Sequence, residues 1–164
     1  MGLKQLLIIR HAKSSWAIAG QDDFDRPLND RGMSDAPMMA KRLLDKKIAI
    51  DVMIASPANR ALTTANYFAD EYALGKGRLA IMRKLYNARS PVFYEVVREI
   101  DDSIRSAAIF SHNPGITDFV NDLTATRIDN MPTCGIFAIR AEIDQWKDFR
   151  NGKKAFWFFD YPKL

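Results

Sequence analysis

The pattern of apolar and polar residues predicts an α/β fold, a three-layer sandwich in which a mostly parallel central sheet carries helices on both faces. Two observations lead there. Short apolar runs alternate with amphipathic stretches through most of the 164 residues, the rhythm of strands joined by crossover helices. Three of the amphipathic stretches also open on Ser-Pro or Asn-Pro, a capping side chain followed by a residue suited to a helix's first turn.

Lys4 to Arg10 reads KQLLIIR, a continuous apolar run suited to a strand buried on both faces. Ala12 to Asp30 has no clear period and is long for a connection, a sign of a functional or mobile loop. From Arg31 to Lys47, Ala36, Met39, Ala40, Leu43 and Leu44 recur at helical spacing, which puts Pro37 in the first turns or at a break. Val52 to Ala55 is a second strand, and Ser56-Pro57 caps a helix with Ala61, Leu62, Ala65 and Phe68 inward. Leu79 to Met82 reads as a third strand. Ser90-Pro91 opens a helix, and Ala107 to Ser111 is a fourth strand. Asn113-Pro114 starts another helix, and Gly135 to Ala141 and Ala155 to Phe159 complete the strands. No repeat or interior linker divides the chain, so one domain over 1–164 is expected.

Composition narrows the function. Hydrophobic residues make up 48% and charged residues 27%, values of an ordinary globular protein. Apolar runs are too short to cross a bilayer, and no secretory leader is legible, so a cytoplasmic location away from membranes is expected. Cys134 is the one cysteine, which excludes an intrachain disulfide and a cysteine-rich metal site. The net charge of +4 is spread among acids and lacks a nucleic-acid-binding signature. Attraction of phosphorylated ligands is the better use of it.

Open α/β sheets bind ligands outside the carboxyl ends of their strands. Those ends hold Arg10-His11, Ser56 with Arg60 just beyond, and Ser111-His112 with the amides of the Asn113-Pro114-Gly115 helix start. The chain has two histidines, and both fall there. Phosphoryl transfer needs a nucleophile and positive donors for the equatorial oxygens. Neutral imidazole can be that nucleophile near pH 7, and nearby Arg10 and Arg60 bias His11 toward neutrality. Guanidinium groups fit phosphate oxygens bidentately. Taken singly, each residue has a structural reading; the coincidence on three strand ends makes the case, and structural histidines or a binding-only pocket stay open. No local ligand pair supports zinc.

These residues resemble the histidine phosphatase superfamily (phosphoglycerate mutase-like), whose mark is Arg-His-Gly or Arg-His-Ala closing the first strand, here Arg10-His11-Ala12. The SixA-type phosphohistidine phosphatases are the nearest branch by motif. They share Arg-His-Ala-Lys-Ser (Arg10 to Ser14), an Arg-Pro-Leu-(Asn/Thr)-x-Arg-Gly segment (Arg26 to Gly32), Ser-Pro-x-x-Arg-Ala (Ser56 to Ala61) and His-Asn-Pro-Gly (His112 to Gly115). The resemblance implies a phosphoglycerate mutase-like fold, a metal-independent site without cofactor, and His11 as nucleophile. It implies Arg10, Arg60 and His112 as phosphoryl ligands, with Ser14 and Asn113 as further substrate contacts.

One departure matters. Many superfamily members place a leaving-group acid, a glutamate, after the third strand; here that stretch reads Leu85-Tyr86-Asn87-Ala88-Arg89. Losing a general acid slows ester cleavage by about 10²–10⁴-fold, whereas a phosphohistidine ring can be protonated from water. A phosphorylated protein is therefore the expected partner. A small phosphomonoester, with an acid from Asp22, Asp23 or Asp25, is the alternative, and a non-catalytic phosphate-recognition module is a third reading. The acidic loop reads more simply as a solvated turn. Cys134 reads as a buried thiol at the start of a strand, and Trp16 as either rim or core.

Overall fold

The computed structural model describes residues 2–164. Six strands form one sheet: β1 (Lys4–Arg10), β2 (Val52–Ala55), β3 (Leu79–Ile81), β4 (Ser106–Ser111), β5 (Ile136–Glu142) and β6 (Lys153–Asp160), in the order β3-β2-β4-β1-β5-β6. The β1–β4, β2–β4 and β2–β3 pairs are parallel, while β5 runs antiparallel to β1 and β6 antiparallel to β5. This is the mostly parallel sheet that the apolar runs predict.

Alternation along β1 divides the core. Leu6 and Ile8 face a cluster with Phe93, Val97, Ile116 and Phe119 from α3 (Ser90–Arg98) and α4 (Gly115–Leu123). Leu7 and Ile9 face the other layer with Ala36, Met39, Ala65 and Phe68 from α1 (Asp30–Asp45) and α2 (Asn59–Glu71). A side-chain period of two feeding both layers is why KQLLIIR is apolar throughout.

Helix starts depart from the expectation in instructive ways. Helix α1 begins one residue early, capped by Asn29, whose Oδ1 accepts from the Gly32 amide at 2.9 Å. Pro37 lies inside that helix rather than in its first turns; one missing amide is tolerated where the rest of the face is buried. Ser56 and Asn113 do not cap. Helix α2 starts at Asn59 after Ala58, and α4 starts at Gly115 after Pro114, neither with a side-chain cap. Cys134 lies before β5 with a positive φ of 57°, so the strand starts two residues later at Ile136; the thiol is fully buried, and burial pushes its pKa up.

Candidate active site

Backbone bonds at the strand ends fix the first histidine. The His11 amide donates to the Ser111 carbonyl at 3.2 Å, and the His11 carbonyl accepts from the Cys134 amide at 3.0 Å. The next amide, Ala12, donates to Thr64 Oγ1 at 3.0 Å, which ties the exit of β1 to α2. Parallel pairing puts Arg10 beside Ser111, so His11 and His112 emerge next to each other. Their ring centroids are 5.3 Å apart.

A cleft of about 500 Å³ opens over these ends, lined by Arg10, His11, Ser14, Arg60, His112 and Asn113 among others. All six residues expected at a phosphate site therefore reach one cavity. His11 and His112 are 5% and 3% exposed, and Arg60 4%. Burial lowers the His11 pKa to about 3; the hydrogen bond to the Ala12 carbonyl pulls it upward, and the neighbouring His112, Arg10 and Arg60 each add a lesser downward push. His112 is likewise lowered to about 3, by burial first and then by Arg60. Both rings are neutral at pH 7.

The neutral His11 ring has its Nδ1 2.8 Å from the Ala12 carbonyl. A carbonyl can only accept, so Nδ1 carries the proton and Nε2 the lone pair. Ser56 Oγ lies 2.7 Å from His112 Nε2 and accepts the Ala58 amide at 3.3 Å. Its hydroxyl can then donate to Nε2, leaving Nδ1–H of His112 as a buried donor with no partner among the described residues. Ser56, expected as a helix cap, instead orients a histidine.

Ser14 Oγ accepts from Arg26 Nη1 at 2.7 Å and keeps its own proton to donate. Asn113 is more fully engaged: Nδ2 donates to Asn130 Oδ1 and the Met131 carbonyl, and Oδ1 accepts from Thr117. Its amide holds loop geometry, and little of it is left for a ligand.

The centre of the network is Asp23, which the sequence offers only as one of three candidate acids or as part of a solvated turn. Its Oδ2 accepts from Arg60 Nη2 at 3.0 Å and Tyr86 Oη at 2.7 Å; Oδ1 accepts from Arg26 Nε and Nη2 at 3.2 and 3.1 Å. The Asp23 carbonyl also accepts from Arg60 Nη1 at 2.7 Å. Burial alone would raise this carboxyl, but the hydrogen bonds from Tyr86 and Arg60, and the charge of Arg60, outweigh it and lower the pKa to about 2. Arg60 and Tyr86 lie 37 and 63 positions away, so no local pattern marks this aspartate. Arg26 stood in a recognised motif, and its buried guanidinium (8% exposed) was the available signal.

The model of the histidine phosphatase superfamily (branch 1) matches residues 6–82, the stretch that carries Arg10, His11, Ser14 and Arg60. Just under half of the chain thus carries a likeness to the histidine phosphatase superfamily. An uncharacterised protein of Mycobacterium tuberculosis is 28% identical over 165 residues, covering 94% of this chain and all of that protein. Among solved structures, a protein histidine phosphatase SixA complexed with tungstate superposes with a TM-score of 0.82 at 21% identity, with 97% of each chain covered. A SixA assignment from Agrobacterium tumefaciens gives a TM-score of 0.80 at 24% identity, covering 97% of this chain and 98% of that one. The fold is thus the phosphoglycerate mutase-like one, and the family likeness over residues 6–82 supports phosphatase chemistry. Among the described residues no helix is long and apolar enough to cross a membrane.

Proposed function

We propose that the chain, as one catalytic domain over residues 1–164, hydrolyses phosphohistidine on a protein partner, without a metal or cofactor, through a covalent intermediate on His11. One observation carries the choice of substrate. Among the described residues Asp23 is the one carboxylate lining the cleft, and its pKa near 2 keeps it ionised and committed to Arg60, Arg26 and Tyr86. A carboxylate in that state has no proton to give an alkoxide at neutral pH. This weakens the phosphomonoester alternative, which needs an acid from that loop. A P–N substrate has no such need, because its imidazole can take a proton from water on the other ring nitrogen and leave neutral.

In the first step the His11 Nε2 lone pair forms a bond to phosphorus, the substrate P–N bond breaks, and its electron pair stays on the departing imidazole nitrogen. The Ala12 carbonyl, facing Nδ1–H, stabilises the positive charge that builds on the His11 ring. Arg10, Arg60, the Ser14 hydroxyl and His112 Nδ1–H hold the phosphoryl oxygens, donors fixed before the reaction. In the second step water attacks phosphorus, the P–Nε2 bond breaks, and inorganic phosphate leaves with neutral His11 restored. A protein histidine phosphatase SixA of the same fold forms a complex with tungstate, a tetrahedral oxyanion, which supports an oxyanion-binding reading.

Rapid-quench labelling with a phosphohistidine peptide should trap phosphate on His11, and His11→Ala should lose about 10³-fold or more in kcat/KM. A fully active His11→Ala variant overturns the mechanism. A large preference for a sugar phosphate over phosphoramidate overturns the choice of substrate. Saturable peptide binding with no turnover by the unaltered protein would favour the recognition module.

A further inference from the structure

Trp16 is the anomaly at the mouth of the cleft. It lines the cavity yet is 77% exposed, a placement that leaves a large apolar ring in water. It is also held. The Arg26 guanidinium carbon sits 3.6 Å from the centroid of its ring, a close cation–π stack. Arg26 in turn is clamped by Ser14 on one side and Asp23 on the other. One face of the indole rests on a buried, doubly anchored cation.

A second aromatic residue lines the same cleft. Tyr86 stands edge-on to Phe24 at 5.2 Å and to His112 at 5.7 Å, and its hydroxyl is bound by Asp23. One carboxylate therefore holds Arg60 of the phosphate floor and Tyr86 directly, and Trp16 through Arg26. An exposed ring with its freedom already lost can stack on a ligand without the usual ordering cost.

We propose that Trp16, pinned on Arg26 and held in register with Arg60 through Asp23, is a stacking platform for a planar aromatic group that carries the phosphoryl, so that it selects the leaving group. The inference rests on the phosphatase reading and deepens it. For a phosphohistidine substrate the stacked group is the imidazole. An amine or alkyl carrier has no face to offer and draws nothing from this surface. Trp16 does not touch the reacting atoms, and its contribution belongs in KM.

The test is the ratio of kcat/KM for N-phosphoimidazole to that for phosphoramidate, measured on the full chain. Trp16→Ala should lower this ratio about tenfold, the size of one aromatic stacking contact, with most of the change in KM. Trp16→Phe, which keeps a ring, should recover most of it, and Arg26→Lys, which removes the planar support, should lose part of it. A turnover-independent readout is calorimetric binding of a phosphonate-bearing triazole, which Trp16→Ala should weaken to a similar degree. An unchanged ratio in an active Trp16→Ala enzyme, or unchanged triazole binding, overturns the platform and leaves the His11 mechanism standing. An unaltered enzyme that turns over neither substrate and does not bind the triazole overturns both.

Discussion

His11 and His112 are two imidazoles kept uncharged at neutral pH by the same cause, burial among guanidinium groups. In the proposed mechanism that state of His11 is the reactive one, because only the neutral ring has an Nε2 lone pair. The sign of the pH dependence follows. A free histidine loses its lone pair as pH falls through about 6.5; this one, lowered to about 3, keeps it. The profile of log kcat/KM against pH should therefore show no His11 limb near 6.5 and should hold down to about pH 4, once substrate ionisation is subtracted. A limb at 6.5 together with an NMR titration of the His11 ring near the same pH in the unliganded protein would show the ring to be protonated there. Asp23 works in the opposite sense, keeping its charge through the same range and so keeping Arg60 in place.

At the scale of elements, two glycines explain motif positions that side-chain chemistry leaves blank. Gly32, in the first turn of α1, backs onto the Lys13 carbonyl, and Gly115, at the start of α4, backs onto the Ala88 carbonyl; a Cβ at either would collide with backbone. These contacts bring the His11 loop against α1 and the Tyr86–Asn87 segment against α4. Gly115→Ala should cost about 1–3 kcal/mol, the range for overpacking a tight contact, and should lower kcat/KM by moving Tyr86 from His112. Urea unfolding alongside kinetics reads both, and a variant of unaltered stability would remove the close-approach argument. Helix starts teach a related lesson. Ser56 and Asn113 have cap chemistry, but their oxygens are taken by His112 and Thr117, so local propensity yields to the site.

Across the whole molecule, the same buried imidazoles couple stability to acid. The unfolded chain binds protons on both histidines below about pH 6.5, while the folded chain resists until about 3. Their neutral burial is thus fully compatible with folding above 6.5 and costs stability progressively as pH falls toward 3. The slope is up to about 1.4 kcal/mol per pH unit for each histidine. Urea midpoints should fall from pH 7 to pH 4, and a double His11→Gln, His112→Gln variant should flatten the dependence. An equally steep loss in that variant would assign acid lability to other groups. The sheet makes this burial unavoidable, since β1 and β4 are adjacent parallel strands at its centre, with helices over both faces.

The amino-acid sequence alone determined the α/β class, the order of the strands along the chain and the residues at the strand ends, because apolar periodicity and ordered motifs are properties of neighbours. Arg10-His11 and His112 were legible for that reason. What only the tertiary structure decided is the network behind them: Asp23 bridging Arg60, Arg26 and Tyr86, Ser56 aiming His112, and Trp16 resting on Arg26. Apart from Asp23 with Arg26, three positions apart, these partners are far separated or meet through loops with no period. Hydrogen-bond geometry and burial, which set each charge, exist only once the chain has closed on itself.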